Sequence, residues 1–459
     1  MARSSVTGAD TMPPGPPVPK PIAAAAFVLR PHQVMVAMRR WYGDAFTIAL
    51  PIFGRSVVVC SPDLVKQVFQ APPDVLAFGE RSPLGDVLGP GSLFAMDGDE
   101  HLRERRLILP AFHGERMKGY EGIIEQEARR EMATWPVGQE FETLGSFMRI
   151  TLGAILRTVF GAEGADIDAL ARVLPEFVTL GSKLSLLTPL RRDLGPLSPG
   201  GRFRALRARY DAIIERMIDS RLADGGLEQR DDVMSLLMRA HYDDGSSMSR
   251  SAIADALLTL LAAGHETTAT SLAWAVERLR RHPWIVHRLV AEAVESESNT
   301  LRVATIYELQ RTRPVITATG RHALQDFELG DWVIPQNHHV IVAAALIHND
   351  PRFFERPRQF EPDRFIDRKP DSYTWIPFGG GTRRCPGAAF AHMEMDVVLR
   401  TLLREFELEP TIEPDEGWRN RGIAYAPNRG GRAIVRRRRA TPDAIPPNRA
   451  PAASYAGAR

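Results

Sequence analysis

Apolar residues recur along this chain at two different periods, and the switches between them outline the architecture. TIALPIF and RSVVVC are short apolar runs meeting near Gly54, the pattern of a β-hairpin. The middle of the chain keeps apolar residues three and four apart, as in FRALRARYDAIIERMIDSRLA, which predicts amphipathic helix. The longest such stretch runs from Ser249 to Arg281, with Ser249 placed as N-cap and Pro283 stopping the far end. After Pro314 short strands return in FELGDWVIP and HVIVAAALI, and a last helix covers residues 388–406. The prediction is a single mostly α domain with a small β portion over residues 22–435. Residues 1–21 and 436–459, rich in proline and small or charged residues, read as a flexible arm and tail.

Composition narrows the classes. The chain has 459 residues, 44% of them hydrophobic, enough for a large core, and its net charge of +2 gives no reason to expect nucleic acid. The tetra-arginine at 436–439 is read as a solvated charge run. Two cysteines, Cys60 and Cys385, cannot build a disulfide framework and suit a reducing cytoplasm. The early apolar run Ile22 to Leu29 is far shorter than the ~20 residues of a membrane span. A soluble, cytoplasmic protein is expected.

Local rules fail at two places. PFGGGTRRCPG, residues 377–387, makes neither a good helix nor a good strand, yet surrounds one of the two cysteines. Glycines let backbone approach a flat ligand closely, and a following helix N-terminus with nearby arginines favours a thiolate. Zinc and iron–sulfur clusters want several ligands, whereas one thiolate can be the axial ligand of haem iron. A buried cysteine in a glycine turn is the alternative. The spacing Phe378-x-x-Gly381-x-Arg383-x-Cys385-x-Gly387 before a helix resembles the haem-binding loop of the cytochrome P450s.

The second place is Ala263-Gly264-His265-Glu266-Thr267-Thr268, inside the longest helix, where glycine costs about 1 kcal/mol relative to alanine. The family carries A-G-x-D/E-T here, over the haem. The resemblance implies that Ala263 and Gly264 border the cofactor, Thr267 hydrogen-bonds the oxygen and Glu266 relays protons. Thr268 is then structural, and His265 has no ligand role. Glu308 and Arg311 match the family's E-x-x-R, and Arg364 its P-x-R-F, so these three are expected to form one buried network. His101 and Arg105, four apart on one helix face, with Arg321 and Arg383, fit the partners of the haem propionates.

The resemblance implies a soluble bacterial monooxygenase using haem (heme b, iron protoporphyrin IX) ligated by Cys385. Electrons from NAD(P)H would arrive through ferredoxin and ferredoxin reductase, because the chain has no flavin or nicotinamide domain. Arg384, with Arg400 and Arg404, would steer an acidic ferredoxin to a monomer. A lipophilic substrate of fatty-acid, terpene or sterol type is expected, from the apolar content of residues 75–96 and 177–190. Two rivals share the loop: a peroxide-using or isomerising haem-thiolate enzyme, and a haem-binding sensor without catalysis.

Overall fold

Alternation in the two β-rich regions brings distant parts of the chain into one sheet. The computed structural model describes residues 12–438, apart from 51–52, 80–81, 115 and 162–163. Ala45–Leu50 and Gly54–Val59 pair antiparallel, and Gly54 takes a positive φ of 62° at the turn. The second arm pairs in parallel with His339–Val342, which pairs antiparallel with Thr319–Ala323, and Leu76–Ala77 closes the edge. Val57, Val58, Val340 and Val342 are buried in a cluster of their own beneath it. Cys60 follows its strand rather than lying inside it. Its Sγ lies 3.4 Å from the Asp44 carbonyl, and burial pushes its thiol up to about 12, which makes it inert.

The larger core is helical and surrounds Arg250–Leu279, 30 residues or about 45 Å long. Ser249 caps it by accepting from the Ala252 N–H at 3.1 Å. The helix stops two residues short of the expected Arg281, because Pro283 starts a new helix, Pro283–Glu295. Thr143–Phe160 packs along it, and the Thr151 hydroxyl donates to the His265 carbonyl at 2.9 Å. Among the described residues, no helix is long and apolar enough to cross a membrane.

Both ends are more ordered than their composition suggested. Pro13 and Pro14 accept hydrogen bonds from the hydroxyl and N–H of Thr47, so the arm is docked on the sheet edge from residue 12, and Lys20–Leu29 is helical. Arg436 and Arg437, expected in the tail, belong to the strand Arg432–Arg437, which pairs with both Glu140–Glu142 and Phe406–Leu408. They form ion pairs with Glu409 and Glu405 at 3.0 and 3.2 Å. Residues 1–11 and 439–459 lie outside the described residues.

One polar network lies inside the helical half. Glu308 and Arg311 are both fully buried. Arg311 donates from Nε and Nη2 to the two oxygens of Glu308, each at 2.7 Å. Its remaining donors reach the carbonyls of His348, Pro357 and Gln359 at 2.7 to 3.1 Å. All five guanidinium N–H groups are thereby used. Arg364 lies 3.2 Å from Glu308, as the sequence led us to expect, and the Glu361 N–H adds a bond of 2.8 Å. Glu308→Gln should cost about 3–5 kcal/mol, because Arg311 would keep a buried charge without its partner. Arg436→Ala, at an exposed pair, should cost about 1 kcal/mol or less. Chemical denaturation of the two variants tests this, and equal losses would show that the buried network is not special.

Candidate cofactor site

The cysteine segment is anchored before it begins. The Ile376 N–H donates to Nε2 of buried His348 at 2.9 Å, and the Trp375 indole donates to the Tyr307 carbonyl at 3.0 Å. The Cys385 N–H then closes the loop on the Phe378 carbonyl at 3.0 Å. Phe378 packs edge-on against His392, ring centres 5.0 Å apart. Gly381 has a φ of +65°, and a Cβ there would lie 2.1 Å from the Phe69 carbonyl oxygen, so only glycine fits. Gly387 differs: its φ is an ordinary −87°, and a Cβ would meet no protein atom within 4 Å. Nothing within the protein demands glycine at Gly387, whereas a flat ligand lying on the loop would.

Cys385 is open to solvent-sized probes yet deep in the fold. Burial raises its thiol and outweighs the lowering by the Gly387 N–H, Arg105 and Arg384. The arginines and helix terminus therefore act in the expected direction but do not win without a cation on the sulfur. Among the described residues, no group of three or more His, Cys, Asp or Glu is arranged to hold a metal ion. A metal at Cys385 would have this single protein ligand.

Beside the loop, three elements bring three arginines and a histidine together. His101 and Arg105 lie on the helix Gly98–Ile108, Arg321 on the strand Thr319–Ala323, and Arg383 in the loop itself. His101 is pushed down to about 3 by burial and then by Arg383, Arg105 and Arg321, so it is neutral at pH 7. Arg321 is lowered to about 10, first by burial and then by Arg383, and remains charged. It donates to the carbonyls of Gly320 and Gly380 at 2.8 and 3.3 Å. Arg383 pairs with Asp97 and donates to the carbonyls of Leu93 and Met96. Among the described residues, Asp97 is the only carboxylate in ion-pair contact with any of the three arginines. Three guanidinium charges against one carboxylate leave two unit charges to be met, which fits a ligand carrying two carboxylates.

The third side belongs to the long helix. Ala263 is exposed and Thr267 half-buried, four apart on one face, between turns that are otherwise buried. The Thr267 hydroxyl donates to the Ala263 carbonyl at 2.8 Å. A Cβ on Gly264 would touch Ile155 at 3.4 Å, an ordinary contact, so helix packing does not by itself require glycine. His265 points into the core and bonds the Leu261 carbonyl at 2.8 Å. Glu266 pairs with Arg421 at 2.8 Å.

Comparison with known proteins agrees with this arrangement. The family described as Cytochrome P450 matches residues 13–429. The chain belongs to the cytochrome P450 family. It is 50% identical over 429 residues to a protein named cytochrome P450 138 of Mycobacterium tuberculosis, covering 93% of this chain and 97% of that one. It is 36% identical to cytochrome P450 137 of the same organism, over 92% and 91% of the two chains. Among solved structures, cyanobacterial CYP120A1 with retinoic acid bound superposes with a TM-score of 0.78 at 21% identity, covering 93% and 99%. The haem domain of cytochrome P450DA gives 0.79 at 23%, covering 93% and 98%. As a P450 the chain takes protoporphyrin IX haem, and membership implies the monooxygenase chemistry broadly shared by the family.

Three residues at this P450 site escaped the sequence reading. Asp97 opens the very stretch that carries His101, but a lone acid beside a helix start reads as a cap. Arg421 had no local signal among so many arginines. Glu394, on the helix Ala388–Glu405, is fully buried beside Thr268, and burial pushes it up to about 8. Thr268 acts to lower that value and is outweighed by burial, and its hydroxyl donates to the Gly264 carbonyl at 3.1 Å. Unfolding lowers that value to about 4.5, so the native state holds a proton that the unfolded chain releases between the two. Stability should therefore fall as pH rises across about pH 5 to 8. Glu394→Gln, neutral at every pH, should flatten that fall in the melting temperature, and an unchanged slope would mean that Glu394 is already ionised.

Proposed function

We propose that this P450 is a monomeric haem-thiolate monooxygenase that hydroxylates a lipophilic small molecule with dioxygen and electrons from NAD(P)H by way of ferredoxin. The observation that carries the reading is the cationic group of Arg105, Arg321 and Arg383, with two charges in excess among the described residues, beside a cysteine with no co-ligand among them. In this reading Cys385 is the iron ligand, and His101, Arg105, Arg321 and Arg383 hold the propionates. Phe378, Gly381 and Gly387 shape the loop, and Ala263 and Gly264 border the opposite face. Haem bound through a thiolate supplies the activation of dioxygen that allows one oxygen atom to enter a C–H bond.

The chain's own residues supply position and protons. Thr267 spends its hydroxyl proton on the Ala263 carbonyl, so its lone pairs face the open side and can accept; it must swing off that carbonyl to donate. Glu266 is buried and paired with Arg421; released from that partner, it would take up a proton from solvent and pass it to Thr267. The substrate class rests on Phe78 and Phe94, ring centres 6.0 Å apart, with half-buried Leu84. Leu88 and Phe177, inside the stretches expected to line the pocket, are buried in the helical core. For the electron donor, exposed Arg384 remains beside Cys385 as a steering charge. Arg400 is tied to Glu121 and Glu125, and Arg404 to the Ala293 carbonyl, so the basic surface is smaller than expected from sequence.

The reduced protein under carbon monoxide should show the red-shifted Soret band of thiolate ligation, and Cys385→Ala should abolish it. Persistence of the band in that variant would overturn the ligand assignment. Thr267→Ala should keep haem and that band, yet lower product formed per NAD(P)H several-fold with a matching rise in peroxide. Thr267→Ser should restore coupling. Coupling that survives in Thr267→Ala would move the proton route to Glu266 alone.

A further inference from the structure

Asp97 occupies the N-cap position of the helix Gly98–Ile108, where an aspartate ordinarily accepts from its own helix, yet it makes no such bond. Its two oxygens instead accept the N–H groups of Phe78 and Gly79, at 2.7 and 2.6 Å, and Oδ1 also takes Arg383. The segment from Phe78 to Asp97 is thus closed at its base by one carboxylate. The closure is tight: a Cβ on Gly79 would lie 2.3 Å from the Met96 carbonyl oxygen. Arg383 sits inside it, bonded to Leu93 and Met96, and its guanidinium lies 5.4 Å from the centre of the Phe78 ring. Arg321 lies 5.8 Å from the same ring. Further along, the segment rests on the long helix: the Gly91 N–H donates to Asp255 at 2.8 Å, and Thr259 donates to Ser92 at 2.8 Å.

One group therefore belongs to two assemblies. It holds the base of the segment that carries Phe94 and Leu84, and among the described residues it is the one carboxylate ion-paired within the cationic group. One aspartate and two propionates would together match the three arginines Arg105, Arg321 and Arg383. Loss of the Asp97 charge would leave one positive charge in excess beside the iron, which favours the reduced state. It would also strip acceptors from two backbone N–H groups, which loosens the segment.

We propose that Asp97 is a positioning residue that ties closure of the 78–97 segment to the charge balance at the haem, so that one carboxylate sets both ligand affinity and iron potential. The inference rests on the haem assignment above, and the two are separable by experiment. In Asp97→Asn, the reduced carbon monoxide spectrum reports the assignment, redox titration reports the charge, and binding of 4-phenylimidazole reports the segment. The expected result is a retained thiolate band, a higher midpoint potential and at least a several-fold weaker affinity for 4-phenylimidazole. Asp97→Glu keeps the charge on a longer arm, so the potential should return to the wild-type value while the affinity stays weakened. A merely structural role would not divide the two readouts in this way. An Asp97→Asn protein with unchanged potential, or with unchanged affinity, overturns the proposal. If Asp97→Asn fails to take up haem, Asp97→Glu decides alone, and wild-type potential with wild-type affinity in that variant overturns it. Absence of the thiolate band from the wild-type protein would instead sink the haem assignment.

Discussion

The fully buried pair Glu308–Arg311 is the constraint from which the site takes its position. Two charges out of water survive there because every donor of Arg311 and both oxygens of Glu308 have partners. Those partners are backbone groups of residues 348–361, a stretch with little regular structure of its own. His348 passes the constraint on. Its carbonyl accepts from Arg311, and its ring, lowered to about 3 by burial and Arg311 and therefore neutral, accepts the Ile376 N–H. Ile376 precedes the cysteine loop directly. A loop that no helix or sheet could hold is thereby fixed by an ion pair, Glu308–Arg311, far upstream in the chain.

Around that fixed loop the electrostatics oppose the burial. Three arginines stripped of water with one carboxylate among them are a costly arrangement, and burial lowers Arg321 and, despite its pair with Asp97, Arg383. The cost is tolerated when a dianionic ligand completes the group, which couples cofactor uptake to the stability of this part of the fold. The raised thiol of Cys385 fits the same logic, since a metal cation supplies what burial has removed. Geometry on the opposite face is less committed. Thr267 bonds the Ala263 carbonyl of its own helix, and Glu266 pairs with Arg421.

Much of this was legible in the chain. The strands, the long helix with its Ser249 cap, the hairpin at Gly54 and the Glu308–Arg311–Arg364 network follow from periods and spacings that act over a few residues, or from a motif written contiguously. The cysteine loop announced itself by breaking local rules. What misled was composition: residues 12–21 and 436–438 look like tail, yet a docked proline segment and a strand between two others give them partners.

The sequence by itself determined the class of structure and the family, because both are encoded in side chains close together along the chain. Only the tertiary structure decided which charges meet. With 58 lysines and arginines against 56 acids, any acid has many conceivable partners, and the choice depends on packing between elements tens to hundreds of residues apart. That is why Arg421 reaches Glu266, why Arg400 turns to Glu121, and why Asp97 leaves its own helix for Arg383. Burial, which sets the direction of every titration at this site, is likewise a property of the assembled fold and of no local stretch.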